Sequence, residues 1–239
     1  MSVRDLLALF TRLPVGSGSV EGAASSFYLV PLVGLVEGAI VSLVGVAISY
    51  LRLQLLAAAL MIAAHLAVTG GMHIDGLADY SDVLGSGLRG EGALKVLKDP
   101  RRGSFAVVAI VVALLVRFSA LYYLAASPVI IMASYISSLE ASFIVARLGV
   151  EEPYEGMARP FTRSAKLAEQ LRLNIIVYAA LMAALALFDP VSLVTTLSLA
   201  AGLLVALDAN SRLGFVNGDV IGTSIELGGL VALVAGALA

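Results

Sequence analysis

The chain has 239 residues, 60% of them hydrophobic and 13% charged, with a mean hydropathy of +0.99. Soluble domains carry about a quarter charged residues, so this balance excludes an ordinary soluble protein and specifies an all-α, polytopic membrane protein. A net charge of −2 offers no field for nucleic acid, and the absence of cysteine removes disulfides, thiolate metal sites and a cysteine nucleophile together.

Residues 1–13 place Val3, Leu6, Leu7, Leu9, Phe10 and Leu13 among Arg4, Asp5 and Arg12 at roughly helical spacing. That segment is too short to span and lacks the apolar core of a cleavable leader, so it reads as an interfacial helix. Pro14 and the Gly/Ser run to Ser19 end it. The first span is expected from about Tyr28 to Leu51, around Pro31 and Glu37. The second runs from about Leu53 to Val68. It falls short of the ~20 residues a crossing needs, which predicts that the helix continues past Thr69.

The stretch that follows, TGGMHIDGLADYSDVLGSG, packs one histidine and three aspartates into the ten residues from His73 to Asp82. In a helix Asp75, Asp79 and Asp82 fall at i, i+4 and i+7, within roughly 60° of one another. Carboxylates so placed repel unless a cation sits among them, and Mg²⁺ is often shared between carboxylates and a substrate's phosphates. Three candidate metal ligands follow. The structural alternative is a polar helix end with solvated acids.

Residues 88–102 are polar and basic, with Arg89, Lys95, Lys98, Arg101 and Arg102. Further spans are expected at about Ser104–Ala125, Pro128–Leu148, Leu173–Phe188 and Val191–Leu207, and a short last one at about Leu227–Ala239. Between them lie a mixed-charge loop, Gly149–Arg172, and a polar segment, Asp208–Glu226. No internal repeat interrupts what reads as one domain over 1–239. Basic residues mark cytoplasmic loops: 88–102 holds five and 149–172 four, whereas the connections at Arg52, Ser127 and Asp189 hold one at most. Seven spans, N-terminus inside and C-terminus outside, satisfy that pattern in a cell membrane. The aspartate stretch, both basic loops and 208–226 then meet at the cytoplasmic face.

Asp99 sits beside Lys98, Arg101 and Arg102 in LKDPRRG, a grouping suited to a phosphate-bearing ligand held with a metal ion. Positive-inside anchoring is the other explanation for Arg89, Lys95 and Arg102. Asp219 and Glu226 in NGDVIGTSIEL stand at i and i+7, a second carboxylate pair for the same metal or an acid at a helix start. Glu37, His65 and Arg117 lie at membrane depth, where charge is costly. Glu37 and Arg117 are expected to pair, and His65 reads as a hydrogen-bonded packing residue. His73 is a candidate proton acceptor or phosphate contact. A carboxylate-held metal beside a basic cradle points to phosphoryl or nucleotidyl transfer.

At GGMHIDGLADYSDVLGS the sequence closely resembles the cobalamin synthase family, the adenosylcobinamide-GDP ribazoletransferases, and the resemblance runs nearly the whole chain. FTRLPV (10–15), PLVGLVEGA (31–39), KDPRRG (98–103) and NGDVIGTSIEL (217–227) are similar to family motifs. The resemblance implies Mg²⁺-dependent joining of adenosylcobinamide-GDP to α-ribazole or its 5′-phosphate with release of GMP. It implies Asp75, Asp79, Asp82, Asp99, Asp219 and Glu226 as metal ligands, and Asp82 or His73 as the general base. Lys98 and Arg101 would contact phosphate; Arg12 and Asn217, in the terminal motifs, are further expected substrate contacts. The expected partners are these substrates and the bilayer, with association of copies left open. The chain departs from the family at Asp82-Val83, Ser138-Leu139 and Glu155-Gly156-Met157-Ala158. CDP-alcohol phosphotransferases are the nearest rival, but Asp79 stands where their motif has arginine. A cation-coupled transporter would be expected to show two related halves, and none is seen.

Overall fold

The computed structural model describes residues 3–239, and its helices follow the apolar runs. Helices α1 (Val3–Phe10) and α2 (Val20–Ser25) precede the first span, with Ser19 capping α2 by accepting the Gly22 N–H at 3.0 Å. A 3-10 turn (Phe27–Leu29) feeds α3 (Val30–Ser49), where Pro31 sits in the first turn and removes no intrahelical bond. Next come α4 (Gln54–Thr69), α5 (Met72–Ser86) and the short α6 (Glu91–Leu97). The long α7 (Ser104–Leu124) and α8 (Pro128–Leu148) are followed by α9 (Ala158–Ala165) and α10 (Ala168–Ala186). A 3-10 segment (Pro190–Leu197) runs into α11 (Ser198–Arg212), and α12 (Gly218–Leu238) ends the chain. Apart from one isolated bridge between Glu151 and Val216, the described residues form no strand.

Six of these units are long and apolar enough to cross a membrane, or seven when α4 and α5 are counted as one bent span. The fold is that of an all-α polytopic membrane protein. Helix α8 is its axis: 83% of its most apolar window is buried, and α3, α11 and α12 pack around it. Lipid offers no hydrophobic drive between helices, so close packing falls to small and hydroxylated side chains. Ser138 Oγ donates to the Ile225 carbonyl of α12 at 2.7 Å, and Ser198 Oγ of α11 to the Ser137 carbonyl at 2.7 Å. At the periphery α7 turns Val107, Val108, Val111, Val112 and Leu115 outward, an apolar surface for the acyl chains.

Three sequence expectations change. The second span does not continue past Thr69: Gly70 (φ +62°) and Gly71 (φ +70°) are both left-handed, and the chain bends by 91° there. Such a conformation ends a helix and suits glycine, so α5 lies across one end of the bundle. The 88–102 and 149–172 connections contain α6 and α9. The 208–226 segment is the end of α11, a turn and the start of α12, so the last span begins at Gly218 and is a full 21 residues long. The N-terminal helix α1 is short, as expected, and packs its apolar side on the protein, with Leu6 and Phe10 buried and Phe10 against Phe27 and Phe161.

Candidate functional site

The site is built on the crossing of α5 and α12. A Cβ at Gly76 would lie 2.8 Å from the Asp219 carbonyl oxygen and 3.0 Å from its Cα, so only glycine permits this backbone-to-backbone approach. Thr223 Oγ1 fastens the crossing, within 3.1 Å of the Gly76 carbonyl and 2.7 Å of the Asp219 carbonyl. On another face of α5, Tyr80 Oη donates to Asp208 Oδ2 at 2.6 Å, and Arg212 holds Asp208 from one turn away. Helix α5 is thereby fixed to both α11 and α12, and Asp219 lies within electrostatic reach of Asp75 and Arg102.

Asp75 and Asp79 share one cation, the Arg102 guanidinium, which pairs directly with both. Asp75 is 61% exposed and Asp79 18%, so the pair opens to solvent. The sequence leaves Arg102 open between a phosphate contact and a membrane anchor and expects Arg101 to contact phosphate. In the structure Arg101 folds back on Asp99 through Nε–Oδ1 at 2.9 Å and Nη2–Oδ2 at 2.7 Å, while Arg102 reaches α5. Those hydrogen bonds from Arg101 hold the Asp99 carboxyl down at about 2.

Asp82 is committed elsewhere. Its Oδ2 accepts the Gly103 N–H at 2.7 Å and its Oδ1 the Ala106 N–H at 2.9 Å, satisfying donors that the start of α7 leaves without intrahelical partners. Asn217 caps α12 by accepting the Val220 N–H at 3.1 Å and donates to Asp219 Oδ2 at 2.8 Å, orienting that acid. Lys98 rests over the Tyr154 ring at 4.7 Å. Arg12 donates its backbone N–H to the Val68 carbonyl at 2.6 Å and lays its side chain against Gly70, at the bend between α4 and α5.

Glu226 stands apart from the acid face, which corrects its expected grouping with Asp219. Seven residues separate the two along α12, about 10 Å of rise, so a shared helical face leaves Glu226 deep in the bundle. There Glu226 Oε2 meets Arg117 Nη2 at 2.5 Å and its Oε1 meets His65 Nε2 at 3.2 Å, while His65 Nδ1 meets Glu37 Oε1 at 2.6 Å. The Arg117 guanidinium also donates to Tyr135 Oη at 3.4 Å. Arg117 is thus paired with Glu226, and Glu37 with His65. Both imidazole nitrogens face carboxylates, so the ring bridges Glu37 to Glu226. All four side chains are at most 3% exposed.

Between α1, α5, α9 and the start of α12 lies a pocket of about 200 Å³. Phe10, Met72, Phe161 and Ile221 supply apolar wall, and His73 and Asp219 line it. The His73 imidazole is hydrogen-bonded to the backbone of Phe10, and its buried Nε2 has no partner.

Among the described residues no three His, Asp or Glu side chains are placed to hold a metal ion between them. A pair of carboxylates already sharing a cation, open on one side, nevertheless fits Mg²⁺, which keeps waters and takes one or two carboxylates plus substrate phosphates.

The family described as Cobalamin-5-phosphate synthase matches residues 2–237. The chain is similar to proteins named adenosylcobinamide-GDP ribazoletransferase. That of Pyrococcus abyssi is 31% identical over 94% of this chain and 93% of its own length. That of Chlorobaculum tepidum is 33% identical over 92% and 89%, and that of Pseudomonas paraeruginosa 36% over 97% and 96%. No solved structure matches.

Proposed function

From the premise that the chain belongs to the cobalamin-5-phosphate synthase family, and so is an enzyme of cobalamin synthesis that joins cobinamide to ribazole, we propose its substrates, metal and site residues. The substrates are adenosylcobinamide-GDP and α-ribazole or its 5′-phosphate; the products are the corresponding cobalamin and GMP. The reaction is the last assembly stage of the nucleotide loop, carried out at the cytoplasmic face of the cell membrane. The observation that carries the site assignment is the solvent-open pair Asp75 and Asp79 sharing Arg102 beside Asp219.

A ribose hydroxyl of the acceptor attacks the phosphorus on the cobinamide side of the pyrophosphate. The bond from that phosphorus to the bridging oxygen breaks, and the oxygen leaves with GMP. Asp75 and Asp79 would hold Mg²⁺, with Asp219 facing them; the ion, when bound, neutralises the pyrophosphate and the departing phosphate. Displaced from the acids, Arg102 is placed to contact phosphate oxygens, with Lys98 and Arg101 at the rim. Of the two candidate bases, Asp82 has both oxygens engaged by α7, whereas His73 has a nitrogen to spare. His73 therefore takes the hydroxyl proton. Asp82 and Glu226 hold the scaffold.

The test is turnover in liposomes with both substrates and Mg²⁺, following GMP and corrinoid product, with Asp75→Ala alongside. Expected is Mg²⁺-dependent transfer that falls by about 10²- to 10³-fold in the variant, the loss seen when one preorganised charge-stabilising group is removed. Undiminished turnover in Asp75→Ala would sink the site. Release of CMP from a CDP-alcohol, with no GMP, would move the chain to the rival chemistry.

A further inference from the structure

We propose that the pocket between α1, α5, α9 and the start of α12 is the seat of the acceptor's heterocyclic base, the flat benzimidazole of α-ribazole. The inference rests on the functional reading above and adds to it where one substrate binds and what selects it. The pocket is continuous with the acid face, because Gly218, Asp219 and His73 belong to its lining. A ligand seated there has its sugar at the reacting end.

The chemistry of the walls chooses among the parts of the two substrates. A volume of about 200 Å³ excludes a corrin macrocycle. Guanine would fit by size, but Asp219 and His73 are the only ionisable side chains in the lining, and the donors and acceptors of its edge that face Phe10, Val20, Met72, Phe161 and Ile221 would lose water without gaining a partner. A benzimidazole carrying only methyl groups has a single ring-nitrogen acceptor beyond its sugar bond, so far fewer polar atoms lose water there. It offers a planar apolar body to walls that include two rings set at 81° with centroids 5.7 Å apart. The polar group at the inner wall, His73 Nε2, is without a partner although the residue is only 5% exposed. Buried polar atoms are rarely left so, and a hydroxyl of a seated riboside that reached this nitrogen would supply the missing partner.

Two variants test the seat. Ala158 lines the pocket and is 2% exposed, so Ala158→Leu fills it without adding charge. His73→Phe keeps a ring and deletes the orphan nitrogen. Steady-state kinetics with each substrate varied in turn would be combined with calorimetric binding of α-ribazole alone. Size-exclusion elution and thermal melting would confirm that each variant is folded. Ala158→Leu is expected to raise KM and Kd for α-ribazole at least about tenfold, leaving KM for adenosylcobinamide-GDP within about twofold. His73→Phe is expected to melt no lower than the native chain while binding α-ribazole more weakly, and it stands alone if Ala158→Leu fails to fold.

A selective rise in KM for adenosylcobinamide-GDP would overturn the assignment and give the pocket to guanine. Unchanged α-ribazole affinity in both variants would also overturn it, with native turnover still upholding the function. A native protein that transfers no cobinamide to α-ribazole would remove the functional reading, and this assignment with it.

Discussion

Two clusters in this protein set carboxylates against a guanidinium, joined in one of them by an imidazole, and they differ most in access to water. At the end of the bundle Arg102 bridges Asp75 and Asp79, with Asp75 more than half exposed. Inside it, Arg117 and His65 bind Glu226 and Glu37 with almost no exposure. Water makes the outer contacts cheap to break, so a cation there can be exchanged for a metal ion or a phosphate can be brought in. Sealing makes the inner contacts costly to break, because any unpaired member is left as a bare charge in a low-dielectric interior. One arrangement is suited to turnover, the other to holding α3, α4, α7, α8 and α12 in register beneath it.

The largest effect comes from breaking the sealed cluster. Arg117→Ala leaves Glu226 facing only His65, and removal of one partner from a buried pair costs about 3–5 kcal/mol. Melting in detergent is expected to fall steeply, with little folded protein recovered. Arg117→Met combined with Glu226→Gln removes both charges and should recover much of the loss, since apolar replacement of a whole pair is often close to neutral. A double variant as unstable as the single would show that the charges themselves are required.

That contrast also explains what the sequence could and could not tell. Ionisable residues in apolar runs are conspicuous, so Glu37, His65 and Arg117 stood out, and helical spacing alone aligned Asp75 with Asp79. Spacing is blind to depth. Asp219 and Glu226 share a helical face, yet one sits at the mouth and the other about 10 Å further in. Nor does composition distinguish adjacent arginines: whether Arg101 or Arg102 reaches the acids depends on how the chain turns after Asp99-Pro100. The shortness of the second apolar run predicts a helix that continues past Thr69, whereas the left-handed Gly70-Gly71 pair ends it. The pocket on His73 brings together residues from five separate helices, and no local pattern encodes it.

A middle-sized effect sharpens the open side of the comparison. If Arg102 holds the place of a metal ion between Asp75 and Asp79, Arg102→Ala should act in opposite directions on two ligands. Mg²⁺ binding to the substrate-free protein, measured by calorimetry, is expected to tighten because a competing cation is gone. KM for adenosylcobinamide-GDP is expected to rise about tenfold, or about 1.4 kcal/mol, because a phosphate contact is lost. Weakening of both together would mean that Arg102 orders the acids and does not compete with the ion.

The smallest effect separates two neighbouring acids on one helix. Asp79 and Asp82 lie less than one turn apart, but Asp82 spends both oxygens on the Gly103 and Ala106 N–H groups at the start of α7. Its loss is therefore a capping loss: Asp82→Ala should lower stability by about 1 kcal/mol, within the ordinary 0.5–2 kcal/mol range. Asp82→Asn keeps one acceptor oxygen and should lose roughly half of that. Turnover by the folded fraction should change far less than in Asp79→Asn, which retains the fold and loses a carboxylate from the cation-sharing pair. Thermal melting and single-turnover rates on the same preparations decide the matter. A melting point unchanged in Asp82→Ala, with turnover abolished, would return Asp82 to the reacting centre and make its contacts with α7 a resting state that the substrate breaks.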